Sequence, residues 1–194
     1  MKNYQLIFRE DWAEIPAARP VTQEHVANPN LILGLYGPGK HEIKKSHHDE
    51  LIGDPYYIWS GKCSGNWALS LKHKSLLFDL GEGAVIKWRT KQSGTCMLRV
   101  IVKQLNGPWF ISHDATGPSA HWTVSNIDVA STTWMALDID TVEPVEQAIK
   151  PQMGKIDEIG FSDLSIGGGS HSCSRIDWLE VWANAIPRPE RINS

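Results

Sequence analysis

The chain has 194 residues, 41% of them hydrophobic and 21% charged, which excludes a disordered polypeptide and suits one domain with a sizeable core. A net charge of -3 argues against a general nucleic-acid binder, whose surface must be strongly basic. There is no run of apolar residues long enough to span a membrane and no apolar signal core near Met1, so no membrane partner is expected. The expected location is cytoplasmic for the chain as given, and exported if a leader was removed.

Strand-like runs recur at short spacing from one end to the other. Tyr4–Arg9, Leu31–Leu35, Tyr57–Ser60, Trp67–His73 and Leu76–Asp79 come first. Val85–Lys91, Met97–Gln104, Trp109–His113, Trp122–Val129, Trp134–Ile139, Glu158–Asp163 and Arg175–Trp182 follow. No segment carries a sustained helical stripe. Glu143–Lys150 is expected to form at most a helical turn or two, limited by Pro144 and Pro151. Many short strands separated by Gly and Pro predict an all-β fold, an antiparallel two-sheet β-sandwich or jelly roll occupying residues 1–194 as a single domain. Residues 10–55 read as a loop-rich excursion and 187–194 as a loose tail. The first and last strands are expected to pair.

The polar cluster His41, Glu42, Ser46, His47, His48, Asp49 and Glu50 falls within that excursion. His47, His48 and Asp49 are candidate catalytic acids or bases, since imidazole exchanges protons near neutral pH. A divalent metal is one option for the same side chains, but no HxH or HExxH spacing specifies an ion. A solvated polar loop is the alternative. Next comes a Pro turn flanked by aromatics, after which Tyr57 and Trp59 share one strand face as candidate substrate-binding platforms; such aromatics also serve simply to anchor a loop.

The segment Val85–Lys103 alternates with period two on both sides of Ser93-Gly94. Ile86, Trp88 and Thr90 point one way; Lys87, Arg89 and Lys91 point the other. Leu98, Val100 and Val102 then oppose Arg99, Ile101 and Lys103. This pattern predicts a β-hairpin whose face groups Arg89, Arg99 and Lys103 as ligand-binding cations. Like charges side by side in a sheet are unfavourable, so such a face is either solvated or built for an anionic or polyhydroxylated ligand.

In WFISHDATGPSAHW, Trp109 is a further candidate platform, and His113 and Asp114 are further candidate acid/base groups in a loop. Gly167, Gly168 and Gly169 permit close approach of a ligand but lack a phosphate-loop pattern. Arg175 opens the last strand as a candidate binding residue, with Asp177 on the same face as a carboxylate neighbour. Cys63, Cys96 and Cys173 cannot all pair within one chain. Cys173 fits no nucleophile motif and reads as a bystander thiol. Nine tryptophans exceed what a core of this size needs, and indole stacks well on apolar sugar faces.

The frame LIF…DW, the middle segment and DEIGFSDL…GGG…IDWLEV together resemble β-sandwich proteins of the concanavalin-like lectin/glucanase type. The chain is similar in particular to 3-keto-disaccharide hydrolase-like proteins, most clearly over residues 156–182. The resemblance implies a jelly-roll fold and a carbohydrate-related role. It supplies no catalytic signature, so no catalytic residue is carried over. Glycosidases use two carboxyl groups flanking the bond, and no ExDxE-like strand is present. Proton abstraction beside a keto group needs one base and one electrophile, which suits the His-rich loops better. The expected function is therefore a glycoside-processing hydrolase or lyase, with a 3-keto sugar as one substrate. The alternatives are a non-catalytic carbohydrate-binding module and a structural or assembly protein. The expected partner is a carbohydrate or glycoside, and no feature specifies an oligomeric state.

Overall fold

The computed structural model describes residues 4–149, 151–164 and 172–189. The fold is the antiparallel β-sandwich that the alternation predicts. Its strands are β1 (Gln5–Glu10), β2 (Leu31–Tyr36), β3 (Lys44–Ser46), β4 (Tyr57–Trp59), β5 (Ala68–His73), β6 (Leu76–Asp79) and β7 (Val85–Thr90). Then come β8 (Arg99–Gln104), β9 (Trp109–Ser112), β10 (Thr123–Asp128), β11 (Trp134–Asp138), β12 (Glu143–Ile149), β13 (Ile156–Ser162) and β14 (Arg175–Pro187). A 3-10 turn at Gln23–His25 is the only helical element among the described residues. Among the described residues no helix is long and apolar enough to cross a membrane.

In the first sheet β7 lies between β10 and β14, and the far edge of β14 carries β1 and then β4, which pairs in turn with β3. The second sheet runs β2-β5-β13-β8-β9-β11-β12. The last residues of β14 leave the first sheet to pair with β6, which also touches β13. One long strand thus links both layers. The first and last strands pair, as expected.

Alternating apolar side chains from the facing layers form the main core, including Trp12, Trp67, Trp88, Phe78, Phe161, Leu69, Leu71, Ile86, Val100 and Val181. A smaller cluster covers the other side of the second sheet with Ala68, Ile101, Trp109, Ile111, Leu137 and Val142. Burial on both faces explains why every residue of β13 is buried. It also explains why Ile101 is buried although it alternates with Arg99 and Lys103.

Three expectations change. First, Val85–Lys103 is not a hairpin. The alternation within β7 is correct, since Ile86, Trp88 and Thr90 are buried and Lys87 and Arg89 are not. Gly94 adopts φ +66, but the turn there carries the chain across to the other sheet, and β7 and β8 pair with different partners. Second, residues 143–149 form β12 against β11 rather than helical turns. Pro144 is tolerated because β12 is an edge strand. Third, the excursion is tied down. The buried Glu10 carboxylate accepts the backbone N–H groups of Trp12, Ala27 and Asn28 at 2.8, 2.7 and 3.0 Å. Residues 10–55 also supply β2 to one sheet and β3 to the other.

The tail begins as an anchor rather than a loose end. Pro187 closes β14, and Arg188 pairs with Asp157 while donating to the carbonyls of His73 and Leu76 at 3.0 and 3.1 Å. Residues 190–194 lie outside the described residues.

Candidate functional site

The nine tryptophans divide into two sets. Trp12, Trp67, Trp88, Trp109 and Trp134 are buried. Trp59, Trp122, Trp178 and Trp182 are half-buried, and all belong to the first sheet or its margin. Each of these four carries a cation over its ring: Lys44 on Trp59 at 5.6 Å, Arg89 on Trp122 at 5.5 Å, Arg9 on Trp178 at 4.4 Å and Lys87 on Trp182 at 4.8 Å. Of the four, Trp122 also walls a cavity.

That cavity, of about 180 Å³, is lined by His48, Leu51, Asp54, Tyr57, Lys91, Trp122 and Arg175. Strand register builds it. Thr123 of β10 faces Thr90 of β7, which places Trp122 beside Lys91, the next residue after β7. Ile176 of β14 also faces Thr90, and the Lys91 N–H donates to the Arg175 carbonyl at 3.0 Å. Arg175 in turn faces Trp59 of β4, and Tyr57 lies two residues along on the same outward face. Neighbouring strands therefore deliver Trp122, Lys91, Arg175 and Tyr57 in one row.

The loop between β3 and β4 closes the row. His48 N–H donates to Asp54 at 3.0 Å, and His48 Nδ1 lies 2.9 Å from the same carboxylate oxygen. The Tyr57 hydroxyl lies 3.3 Å from His48 Nδ1, and its ring meets Trp122 edge-on at 5.5 Å. Tyr57 is 3% exposed. Burial pushes its phenol pKa up, against the opposing pull of Ser46 and Arg175, so it stays a neutral donor at neutral pH. Among the described residues neither Lys91 nor Arg175 forms an ion pair, and Asp54 is the one carboxylate lining the cavity.

Of the candidates read from the sequence, His48, Tyr57 and Arg175 meet in this cavity, and Arg89 braces Trp122 from outside it. The others are dispersed. His47 stacks on Tyr56 with rings 4.0 Å apart and lies 3.3 Å from the exposed Asp49. Trp59 packs over Gly61, where a Cβ would come within 2.3 Å of the indole. His113 and Asp114 are exposed, 4.0 Å from each other, at another loop. Asp114 lines a separate cleft of about 270 Å³ between the layers, whose aromatic, Trp88, is buried and donates to Thr116 at 3.2 Å.

The cationic face expected from Arg89, Arg99 and Lys103 does not form, because β7 and β8 belong to different sheets. Arg89 pairs with Asp177 at 2.6 Å. Burial pushes the Asp177 carboxyl up, outweighing that guanidinium. Arg99 donates to the carbonyls of Ser112 and His113, and Lys103 pairs with Glu158 at 3.1 Å. Trp109 is buried against Tyr36, 4.9 Å away.

No group of three or more His, Cys, Asp or Glu able to hold a metal ion occurs among the described residues. His47, His48 and Asp49 do not converge: His48 faces Asp54, while His47 faces Asp49. Cys63, Cys96 and Cys173 are buried, and burial pushes the Cys63 thiol up to about 12. Gly167, Gly168 and Gly169 lie outside the described residues.

Lys91, Trp122, Asp54 and Leu51 were not singled out as site residues by sequence reasoning. Lys91 had a signal, since it shares the outward alternation of Lys87 and Arg89. Trp122 sits at the start of a strand-like run beside a polar loop, the same feature that marked Tyr57.

No protein-family model matches the chain, and no curated protein matches it. Solved structures do. A family 11 carbohydrate-binding module from Clostridium thermocellum, in complex with a β-1,3-1,4-mixed-linked tetrasaccharide, is 12% identical with a TM-score of 0.50, over 87% of this chain and 96% of that one. A variant of a family 29 carbohydrate-binding module complexed with mannohexaose is 14% identical, with a TM-score of 0.49, over 93% and 92%. The first likeness places the chain in the jelly-roll β-sandwich architecture.

Proposed function

We propose that the protein is a non-catalytic carbohydrate-binding module whose ligand enters the Trp122 cavity. One observation carries this reading: Trp122 and Tyr57 form an aromatic wall beside the side-chain donors of Lys91, Arg175 and His48 in one concavity. Sugars are recognised by that combination, an apolar ring face on indole and hydroxyls on fixed polar groups. The cavity's single carboxylate is already engaged by His48, whereas glycoside hydrolysis needs two flanking carboxyl groups. The solved sugar complexes of similar architecture support the same reading.

Titration of the intrinsic tryptophan fluorescence with a panel of neutral and acidic oligosaccharides tests it. At least one oligosaccharide should give a saturable response that Trp122→Ala removes. A panel without any response, or a response that Trp122→Ala leaves intact, rules the cavity out.

A second reading rests on the His48–Asp54 pair. A carboxylate holding Nδ1 orients imidazole as a base, which is the requirement for cleaving a 3-keto glycoside of the kind the resemblance implies. Turnover of a 3-keto glycoside that His48→Ala abolishes while binding persists would establish it.

A further inference from the structure

We infer that the cavity selects a sugar bearing one acid group, a carboxylate or a sulfate; the inference rests on the carbohydrate-binding reading above. Most other partly buried cations of the molecule already have an acceptor. Arg9 pairs with Asp11 and Glu180, Arg89 with Asp177, Lys72 and Arg188 with Asp157, and Lys103 with Glu158. Arg99, which has no carboxylate, spends its donors on two backbone carbonyls. Lys45, wholly buried, donates to the Ile15 carbonyl and lies over Tyr56 at 3.8 Å; burial lowers its pKa to about 8. Each of these cations has an acceptor, whereas Lys44 and Lys87, also half-buried, lie over Trp59 and Trp182 with no carboxylate pair among the described residues.

Lys91 and Arg175 differ from all of these in sharing one cavity. Both are half-buried, both line the same cavity, and neither has a carboxylate partner among the described residues. They are adjacent across the β7–β14 junction, where backbone pairing fixes their separation. Like charges held together in a sheet are unfavourable unless something offsets them.

The acidic groups in and around the cavity do not fill the role. Asp54 is held by the backbone N–H and Nδ1 of His48. Asp177 is taken by Arg89, and Asp49 is exposed on the far side of His47. The cavity therefore presents two cations without a carboxylate partner among the described residues against one engaged carboxylate, with Arg175 also hydrogen-bonded to the neutral Tyr57 hydroxyl. A planar guanidinium beside an ammonium is a good receptor for an anionic oxygen group. Trp122 then takes the apolar face of the ring that bears it. A volume of about 180 Å³ suits one sugar unit rather than a long chain, so the acid group and the stacked ring belong to the same residue.

The test compares matched ligands on the full chain by calorimetry. Oligogalacturonate is set against its methyl ester, and a sulfated galactan oligosaccharide against its desulfated form. The acidic member of at least one pair should bind about tenfold or more tighter than its neutral partner. Its affinity should fall as salt rises. Arg175→Gln and Lys91→Gln should each erase most of that preference while circular dichroism stays unchanged. Lys87→Gln, which removes the same charge from the same sheet face outside the cavity, should leave the preference intact. The pair that shows the effect identifies carboxylate or sulfate. Equal binding of acidic and neutral members overturns the inference and leaves carbohydrate binding standing. An acid preference that survives Arg175→Gln and Lys91→Gln, or that Lys87→Gln weakens equally, overturns it as well. Failure of every ligand, acidic and neutral, removes the binding reading and this inference together.

Discussion

The outer faces of the two sheets carry the same kinds of side chain to opposite ends. On the second sheet, Glu158 accepts the Tyr36 hydroxyl at 2.8 Å, the Ser70 hydroxyl at 2.6 Å and the Lys103 ammonium at 3.1 Å. Lys103 lies over Trp109, and Trp109 meets Tyr36 edge-on. At the end of the first sheet, Lys91 and Arg175 lie beside Trp122 and Tyr57, and the nearby carboxylate is bound to His48. Both places combine cations, aromatics and a carboxylate. In the Glu158 cluster Lys103 is matched and the indole is 6% exposed, so the assembly is complete in itself. In the first-sheet cavity Lys91 and Arg175 have no carboxylate partner among the described residues, and the Trp122 indole is half-open. Composition does not separate a closed structural network from an open cavity; the state of the partners does.

The largest effect that would sharpen this contrast is expected from Glu158→Ala. It removes the acceptor of two hydroxyls and leaves Lys103 without its counter-charge. Breaking a fully buried pair costs roughly 3–5 kcal/mol, and Lys103 is 30% exposed, so a loss of about 2–3 kcal/mol is expected. Urea unfolding measures it. Ligand affinity of the folded protein should not change. A Glu158→Ala protein that is fully stable yet loses sugar binding would invert the comparison.

Trp122→Ala should do the reverse. A central aromatic in a binding site commonly accounts for more than 2 kcal/mol, so affinity should fall about thirtyfold or more. The indole is half-buried at the end of an edge strand, so stability should fall by only about 1 kcal/mol. Calorimetric titration and urea unfolding on one sample separate the two. Equal and large losses in both would assign Trp122 to the framework.

Tyr36→Phe is a gentler probe of the second sheet. It deletes one hydrogen bond to Glu158 and keeps the ring on Trp109. Burial raises the Tyr36 phenol pKa, as does the neighbouring Glu158 carboxylate, so the hydroxyl remains a donor. The expected loss is about 1 kcal/mol, with Ser70 and Lys103 still engaged.

Much of this fold was legible because strands write their own faces. In VIKWRT the period of two names the buried residues without any knowledge of partners. Pairing was not legible in the same way. β7 and β8 adjoin in sequence with a glycine turn between them, and local pattern alone favours a hairpin. The outcome is set by long-range choices: β7 takes β14 and β10, and β8 takes β13 and β9. A grouped cationic face was inferred from the wrong pairing, so Arg99 and Lys103 fell away from the site. The site was legible residue by residue where each lies at a strand end beside a polar loop, as with Tyr57 and Arg175. It was illegible as a set, because Trp122, Lys91 and Arg175 are far apart in sequence and meet only through register. The segment 143–149 misled for a simpler reason: Pro144 and the following Pro151 limit a helix, yet an edge strand accepts Pro144.

The smallest effect expected concerns acid and the C-terminal clasp of the second sheet. His73 Nδ1 accepts the backbone N–H groups of Ser75 and Leu76, both at 3.1 Å, and this requires the ring to be neutral at that nitrogen. Burial lowers the His73 pKa, and the Arg188 guanidinium lowers it further. A histidine whose folded pKa lies below its unfolded value of about 6.5 stabilises the fold fully above that value. The contribution is lost as pH falls below 6.5 and through the folded pKa. Asp157 does not titrate in this window. Burial would raise its carboxyl, but the bonds from Lys72 and Arg188 outweigh that and hold it below the usual aspartate range. Its share is therefore lost only in strong acid. The urea midpoint should drop between pH 7 and pH 5.5 in the parent protein. His73→Asn keeps a side-chain acceptor without a titrating ring, so its midpoint should drop less over the same interval. The difference between the two slopes isolates one imidazole. Identical slopes would mean that Nδ1 is not the acceptor for Ser75 and Leu76, and that the clasp depends on the Arg188–Asp157 pair alone.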